Sequence, residues 1–73
     1  MKITVNGQEM EWVGNTIDYG NVLALAKQPE GASVTYEGPR HGDAQRSGIL
    51  HATKGAIVVE DGMHFTAVRT NNA

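Results

Sequence analysis

The chain has no cysteine, and its 73 residues include only two prolines, one tryptophan and one phenylalanine. Without cysteine, neither a disulfide nor a thiolate metal site can hold so short a chain together. A hydrophobic core must therefore stabilise the fold, and that core has to be economical because a small domain buries a modest fraction of its surface. The absence of cysteine also suits a reducing compartment.

The chain lacks an excess of positive charge as well. Six Lys and Arg against eight Asp and Glu give a net charge of -2. A nucleic-acid-binding domain usually carries a basic excess because it neutralises phosphates, so we expect no nucleic-acid partner. No apolar run is long enough for a signal peptide or a membrane span, so we expect a cytoplasmic domain with no membrane partner.

A β-hairpin is predicted at the start of the chain. Asn6 and Gly7 separate two alternating runs, which is the strongest short-range hairpin signal. With these two as the turn, Lys2 lies opposite Glu11 as a cross-strand pair of opposite charge. The apolar face would consist of Met1, Ile3, Val5, Met10 and Trp12. This parity favours a core position for Trp12 over an exposed recognition role.

A short helix is predicted from Tyr19 to Lys27. Asp18 suits the N-cap, and Pro29 blocks continuation of the helix. The spacing i, i+3, i+4, i+7 predicts a buried stripe. Its members are Tyr19, Val22, Leu23 and Ala26.

The rest of the chain alternates strand and loop signals. We expect a third strand at residues 32–36, a mobile loop at 37–48, a very short strand at 49–51, an apolar β-branched segment at 56–60 and a last strand at 63–69. The order of elements predicts an α+β, β-grasp domain over residues 1–69, with residues 70–73 as a flexible tail. A mixed sheet of four to five strands would carry one helix across it, with the first and last strands as parallel neighbours.

No catalytic centre, metal site or cofactor site is expected. The three histidines, His41, His51 and His64, show no metal-ligand spacing. A triad of Ser47, His51 and Asp43 can be assembled on paper, but it has no rigid support. The glycines at 38, 42 and 48 do not have the spacing of a phosphate-binding loop.

Two other places are candidates for binding or modification. His64, Thr66 and Val68 would line the outer face of the last strand, followed by Arg69, and this face is either ordinary surface or a docking site for partners. The final residues, Asn71, Asn72 and Ala73, carry no apolar anchor. By themselves they indicate only a frayed terminus.

Several segments, in this order and spacing, resemble the small bacterial ubiquitin-like proteins encoded beside ubiquitin-type activating and conjugating enzymes and a processing peptidase, in operons associated with antiphage defence. These segments are Lys2-Ile-Thr-Val-Asn-Gly7, Val34-Thr-Tyr-Glu-Gly-Pro39, Val59-Glu-Asp-Gly-Met-His-Phe65 and Thr70-Asn-Asn-Ala73. The resemblance implies a β-grasp modifier, not an enzyme. The peptidase would trim its C-terminus, the activating enzyme would adenylate it, and the conjugating enzyme would pass it on to target proteins.

Carried over residue by residue, the resemblance implies that the mature end lies at Asn71 or Asn72, with Ala73 as the leaving residue. The chain differs here from ubiquitin and from sulfur carriers, which end in Gly-Gly. An asparagine needs a roomier enzyme channel than glycine, so this ending disfavours a sulfur carrier. The main alternative is a β-grasp module that binds partners through the Val68 face without forming a covalent bond.

Overall fold

The computed structural model describes residues 1–69. Its elements, in chain order, are β1 (Lys2–Val5), β2 (Gln8–Glu11), β3 (Thr16–Ile17), α1 (Tyr19–Ala26), β4 (Ser33–His41), β5 (Ala44–Leu50), β6 (Ile57–Val58) and β7 (Met63–Val68). Five strands form one sheet in the order β2-β1-β7-β4-β5, and β3 pairs with β6 in a small second sheet.

The N-terminal hairpin has the predicted register. Lys2 lies opposite Glu11 and Val5 opposite Gln8, with Asn6 and Gly7 both at positive φ in the turn. The predicted cross-strand pairing of Lys2 with Glu11 is confirmed, but each of the two charged groups has another ion-pair partner. The Lys2 ammonium lies 3.7 Å from Glu9, while the amino group of Met1 lies 2.8 Å from Glu11. The Glu11 carboxylate pairs with the amino group of Met1 at the shorter distance, and Lys2 pairs with Glu9 instead.

The last strand, β7, lies at the centre of the sheet, as the sequence predicted. It runs parallel to β1, with Val5 paired to Phe65, and antiparallel to β4, with Val34 paired to Ala67. The helix supplies the length that a parallel connection needs. One helix on a mixed five-stranded sheet is an α+β, β-grasp-like fold.

The helix is capped at both ends. The Asp18 carboxylate accepts a hydrogen bond from the Asn21 backbone N–H (2.8 Å), and the Asn21 side chain accepts one from the Asp18 backbone N–H (3.0 Å). This reciprocal capping box confirms Asp18 as the N-cap. At the other end Lys27 adopts a left-handed φ of 57°, and the helix stops before Pro29.

The hydrophobic core lies between the helix and the inner face of the sheet. Its largest fully buried side chains are Phe65, Ile3, Ile17, Met63, Val5, Val22 and Val34. Of the predicted helix stripe, Val22 and Leu23 are buried, and Tyr19 and Ala26 pack against the core from its margin. Trp12 also packs against the core, and its Nε1–H donates to the Thr16 carbonyl at 2.9 Å.

The prediction of a mobile loop at residues 37–48 is wrong. This segment completes β4 and forms most of β5, so the two strands make a long antiparallel hairpin that turns at Gly42 and Asp43. Gly42 has a φ of +67°, which the turn requires. Most residues of this segment are exposed even within the strands, so their polar composition resembles that of a loop.

Two residues that read as loop signals have specific places in this hairpin. The register of β4 and β5 shifts between Glu37 and Arg40, so Pro39 lies at a β-bulge, where a missing N–H is tolerated. Gly48 faces Tyr36 across the strands, and a Cβ there would lie 2.7 Å from the Tyr36 hydroxyl. Glycine at this position therefore leaves room for the tyrosine ring.

An exposed polar cluster joins this hairpin to the loop before β7. The Glu60 carboxylate lies 3.1 Å from His41 Nε2 and accepts a hydrogen bond from Arg46 Nη1 at 3.0 Å. Arg46 also lies over the Tyr36 ring, 5.8 Å from its centroid. The hydrogen bonds of His41 and Arg46 hold the pKa of Glu60 below its usual value of 4.5.

The Glu60 cluster predicts a pH dependence. Because the pKa of Glu60 is lower in the folded state, its contribution to stability is present above about pH 4.5 and is lost as the pH falls through the folded-state pKa. An NMR titration should place the pKa of Glu60 below 4.5 in the native chain and closer to that value in Arg46→Gln. A native pKa at or above 4.5 would mean that the cluster does not form in solution.

Candidate functional site

The outer face of β7 presents the predicted docking residues to solvent. His64, Thr66 and Val68 are exposed and alternate with the buried Met63, Phe65 and Ala67. Val68 keeps 55% of its surface exposed although its strand is central. The structure therefore places the predicted residues together on one open face.

The neighbouring strands extend this face with residues that the sequence did not single out. Thr35 of β4 lies between Thr66 of β7 and Ile49 of β5 in register, and Ser33 lies beside Val68. Ile49 is 60% exposed. It was missed because its position on this face depends on the long β4–β5 hairpin, which polar composition concealed.

These residues border an open groove of about 350 Å³ on the outer face. Its lining is formed by Thr35, Tyr36, Glu37, Ser47, Gly48, Ile49, His64 and Thr66. The lining combines hydroxyl groups, one carboxylate and the His64 imidazole with the aliphatic side chain of Ile49. Such a groove is suited to a side chain that combines an apolar stem with a polar or cationic head.

A polar row crosses the same face two residues away from Thr66 along β7. His64 lies between Thr4 of β1 and Glu37 of β4, and Thr4 in turn lies opposite Glu9. Lys2 lies 3.7 Å from Glu9 and partly offsets the charge of that carboxylate. Glu37 lines the groove itself and is the acidic group nearest to it. This arrangement favours a partner surface with a cationic group beside apolar contacts.

The predicted processing residues, Asn71, Asn72 and Ala73, lie outside the described residues. Arg69 is the last described residue; it is exposed and follows the end of β7 directly. The strand itself is held to its last residue, because Val68 pairs with Ser33 of β4.

The structure does not bring together the triad of Ser47, His51 and Asp43 that was considered from the sequence. Asp43 lies in the β4–β5 turn and His51 follows β5, so the seven-residue strand separates them. At about 3.3 Å per residue, that separation is roughly 25 Å. Within residues 1–69 no polar or charged side chain is buried, and no group of three potential metal ligands is found.

A second cavity lies at the start of the helix. It has a volume of about 430 Å³ and is lined by Tyr19, Gly20, Leu23, Glu30, Gly31 and Ala52. The Tyr19 hydroxyl donates to the Ala32 carbonyl (2.6 Å) and accepts from the Gly31 N–H (3.2 Å). The Tyr19 hydroxyl therefore links the helix to the segment before β4. With this hydroxyl engaged in hydrogen bonds, the cavity presents mainly apolar surface.

Comparison of the chain with protein-family models, with curated proteins and with solved structures gives no match. Among the described residues, no helix is long and apolar enough to cross a membrane. The β-grasp-like fold is therefore assigned from the order and pairing of the strands. A function can be proposed only from the geometry of the site and from the short segments of the sequence.

The outer face should tolerate substitution without loss of stability. Because Val68 and Ile49 are more than half exposed, Val68→Thr and Ile49→Thr should change the free energy of unfolding by less than about 0.5 kcal/mol. Met63→Ala, on the buried side of the same strand, should lower it by about 2–5 kcal/mol. Urea unfolding followed by the fluorescence of Trp12 measures both. A loss above about 2 kcal/mol for Val68→Thr would assign that side chain to the core rather than to a docking face.

Proposed function

We propose that this chain is a ubiquitin-like protein modifier of a bacterial ubiquitination-like pathway, acting in the cytoplasm in antiphage defence. A peptidase processes its C-terminus at Asn71 or Asn72, with Ala73 leaving. An activating enzyme then adenylates the new carboxylate, and a conjugating enzyme passes the chain on to target proteins. These partner enzymes, which the family resemblance implies, supply the catalytic groups.

The observation that carries the proposal is the place of β7. The last described strand lies in the middle of the sheet and is paired on both sides, so the segment after Arg69 leaves from a rigid support. A modifier needs such a support, because its terminal carboxylate must enter another protein's active site while the domain is held outside. A β-grasp-like fold with an exposed outer face supports the same reading.

The chemistry of activation places specific demands on this end. The terminal carboxylate attacks the α-phosphorus of ATP, the bond to the β-phosphate breaks, and pyrophosphate leaves while an acyl-adenylate forms. A nucleophile of the enzymes that pass the chain on then displaces AMP, and the acceptor on the target displaces that nucleophile in the last step. Since Asn71 and Asn72 carry carboxamides, the channel that admits them must be wider than a glycine-specific one or must hydrogen-bond the amides.

The exposed side chains of Val68 and Ile49 favour a second candidate, a non-covalent interaction module. In that case the groove beside Ile49 binds a partner and the C-terminal residues are dispensable. A sulfur carrier is the third and least favoured reading, and a thiocarboxylate mass shift at the terminus would identify it.

Deletion of Asn71 to Ala73 tests the modifier proposal. We expect the truncated chain to form no covalent adducts with the activating and conjugating enzymes, because the reactive carboxylate is displaced from its position. Its unfolding midpoint should match the full chain, since every core residue lies before Arg69. Adducts formed by the truncated chain at the native rate would refute the proposal.

The Val68→Asp variant tests the docking face when its binding to the activating enzyme is measured beside that of the native chain. A new carboxylate beside the groove should weaken partner binding at least about fivefold, because desolvating an unpaired charge at an interface is costly. Val13→Asp is the matched control, since Val13 is also exposed but lies outside the five-stranded sheet. Equal binding by both variants would show that the outer face is ordinary surface.

A further inference from the structure

Asn6 makes contacts that its role in the hairpin turn does not require. Its side-chain oxygen accepts a hydrogen bond from the Ala67 N–H at 2.8 Å, and its side-chain nitrogen donates to the Ala67 carbonyl at 3.0 Å. Both bonds are partly buried and join residues 61 positions apart. The turn between β1 and β2 is therefore hydrogen-bonded to the end of β7.

This carboxamide continues the pairing of β1 with β7 beyond the end of β1. The backbone register of the two strands ends at Val5 and Phe65, and the Asn6 backbone N–H then donates to the Phe65 carbonyl at 2.9 Å. The side chain of Asn6 takes the place of the next strand residue opposite Ala67. Since β4 pairs with Ala67 and Val68 from the other side, β7 is held on both edges almost to its last residue.

Turn chemistry alone does not select asparagine at this position. Asn6 has a left-handed φ of 50°, which glycine and aspartate also tolerate. Glycine offers no side chain, and an aspartate carboxylate accepts hydrogen bonds but cannot donate one. Of these three residues, only asparagine forms the turn and also satisfies both backbone groups of Ala67.

We propose that Asn6 is a positioning residue for activation of the C-terminus, an inference that rests on the proposed function. The two hydrogen bonds between the Asn6 side chain and the Ala67 backbone form a clamp on the end of β7. This clamp fixes the point and the direction in which the chain leaves the sheet at Arg69. The activating enzyme then receives a C-terminal segment that starts from an ordered strand, so less conformational freedom is lost when the carboxylate reaches ATP.

The Asn6→Gly variant removes the clamp and keeps the turn. Amide exchange at Ala67 should become about tenfold faster, because Asn6 is the acceptor of that N–H. In ATP–pyrophosphate exchange with the activating enzyme, after each chain has been processed by the peptidase, kcat should fall about tenfold while KM stays within about twofold, since the docking face is unchanged. Asn6→Asp retains the acceptor, so Ala67 should stay protected and the loss in kcat should be smaller.

Asp61→Ala is the matched control, because it removes a comparable side-chain hydrogen bond (Lys2 N–H to Asp61 Oδ1, 2.7 Å) at the other end of β1. We expect it to leave kcat unchanged. Equal kcat values for Asn6→Gly and the native chain, or an equal loss in Asp61→Ala, would overturn the positioning role while leaving the modifier proposal intact. No pyrophosphate exchange by the native chain, with an activating enzyme shown to bind ATP, would overturn both. Unchanged exchange of Ala67 in Asn6→Gly would show that the clamp is absent in solution.

Discussion

Strand β7 is hydrogen-bonded on both sides, parallel to β1 and antiparallel to β4, and the other elements depend on that pairing. Its inward residues, Met63, Phe65 and Ala67, are buried beneath the helix. Because β7 follows both hairpins in sequence, the sheet is complete only when this strand has inserted between them. The fold therefore depends on contacts of high sequence separation.

This arrangement gives the sheet two different faces. The inner face supplies the core, and the outer face carries exposed apolar and polar side chains. The loop before β7 secures the other end of the strand: Gly62 N–H donates to the Lys2 carbonyl at 2.7 Å, and Glu60 reaches the far hairpin. A rigid central strand with an open outer face is what the modifier proposal and the interaction-module alternative both require.

Local signals were sufficient for much of the fold. The turn of Asn6 and Gly7, the alternation of the first strands and the Asp18 cap each depend on neighbours in sequence, and each prediction is confirmed. The central place of β7 followed from the need of the first hairpin for a partner. The outer position of His64, Thr66 and Val68 followed from simple alternation along that strand.

The error over residues 37–48 has a local cause, whereas the omissions have non-local causes. Residues 37–48 looked like a loop because they are polar and rich in glycine, although Gly42 and Asp43 are themselves a hairpin-turn signal. Without that hairpin, Ile49 could not be placed beside Thr35, and the groove could not be anticipated. The clamp of Asn6 on Ala67 was equally invisible, since no sequence pattern records a contact between residues 61 positions apart.

The proposed modifier role requires that the C-terminal carboxylate of this chain becomes covalently attached to other proteins. It can be tested by the intact mass of the chain after co-expression with the activating enzyme, conjugating enzyme and peptidase that the proposal implies. A modifier would lose Ala73, or Asn72 and Ala73, and would also give heavier covalent species. An unchanged mass without adducts, while the three enzymes are active, would contradict it and leave the non-covalent module as the better description.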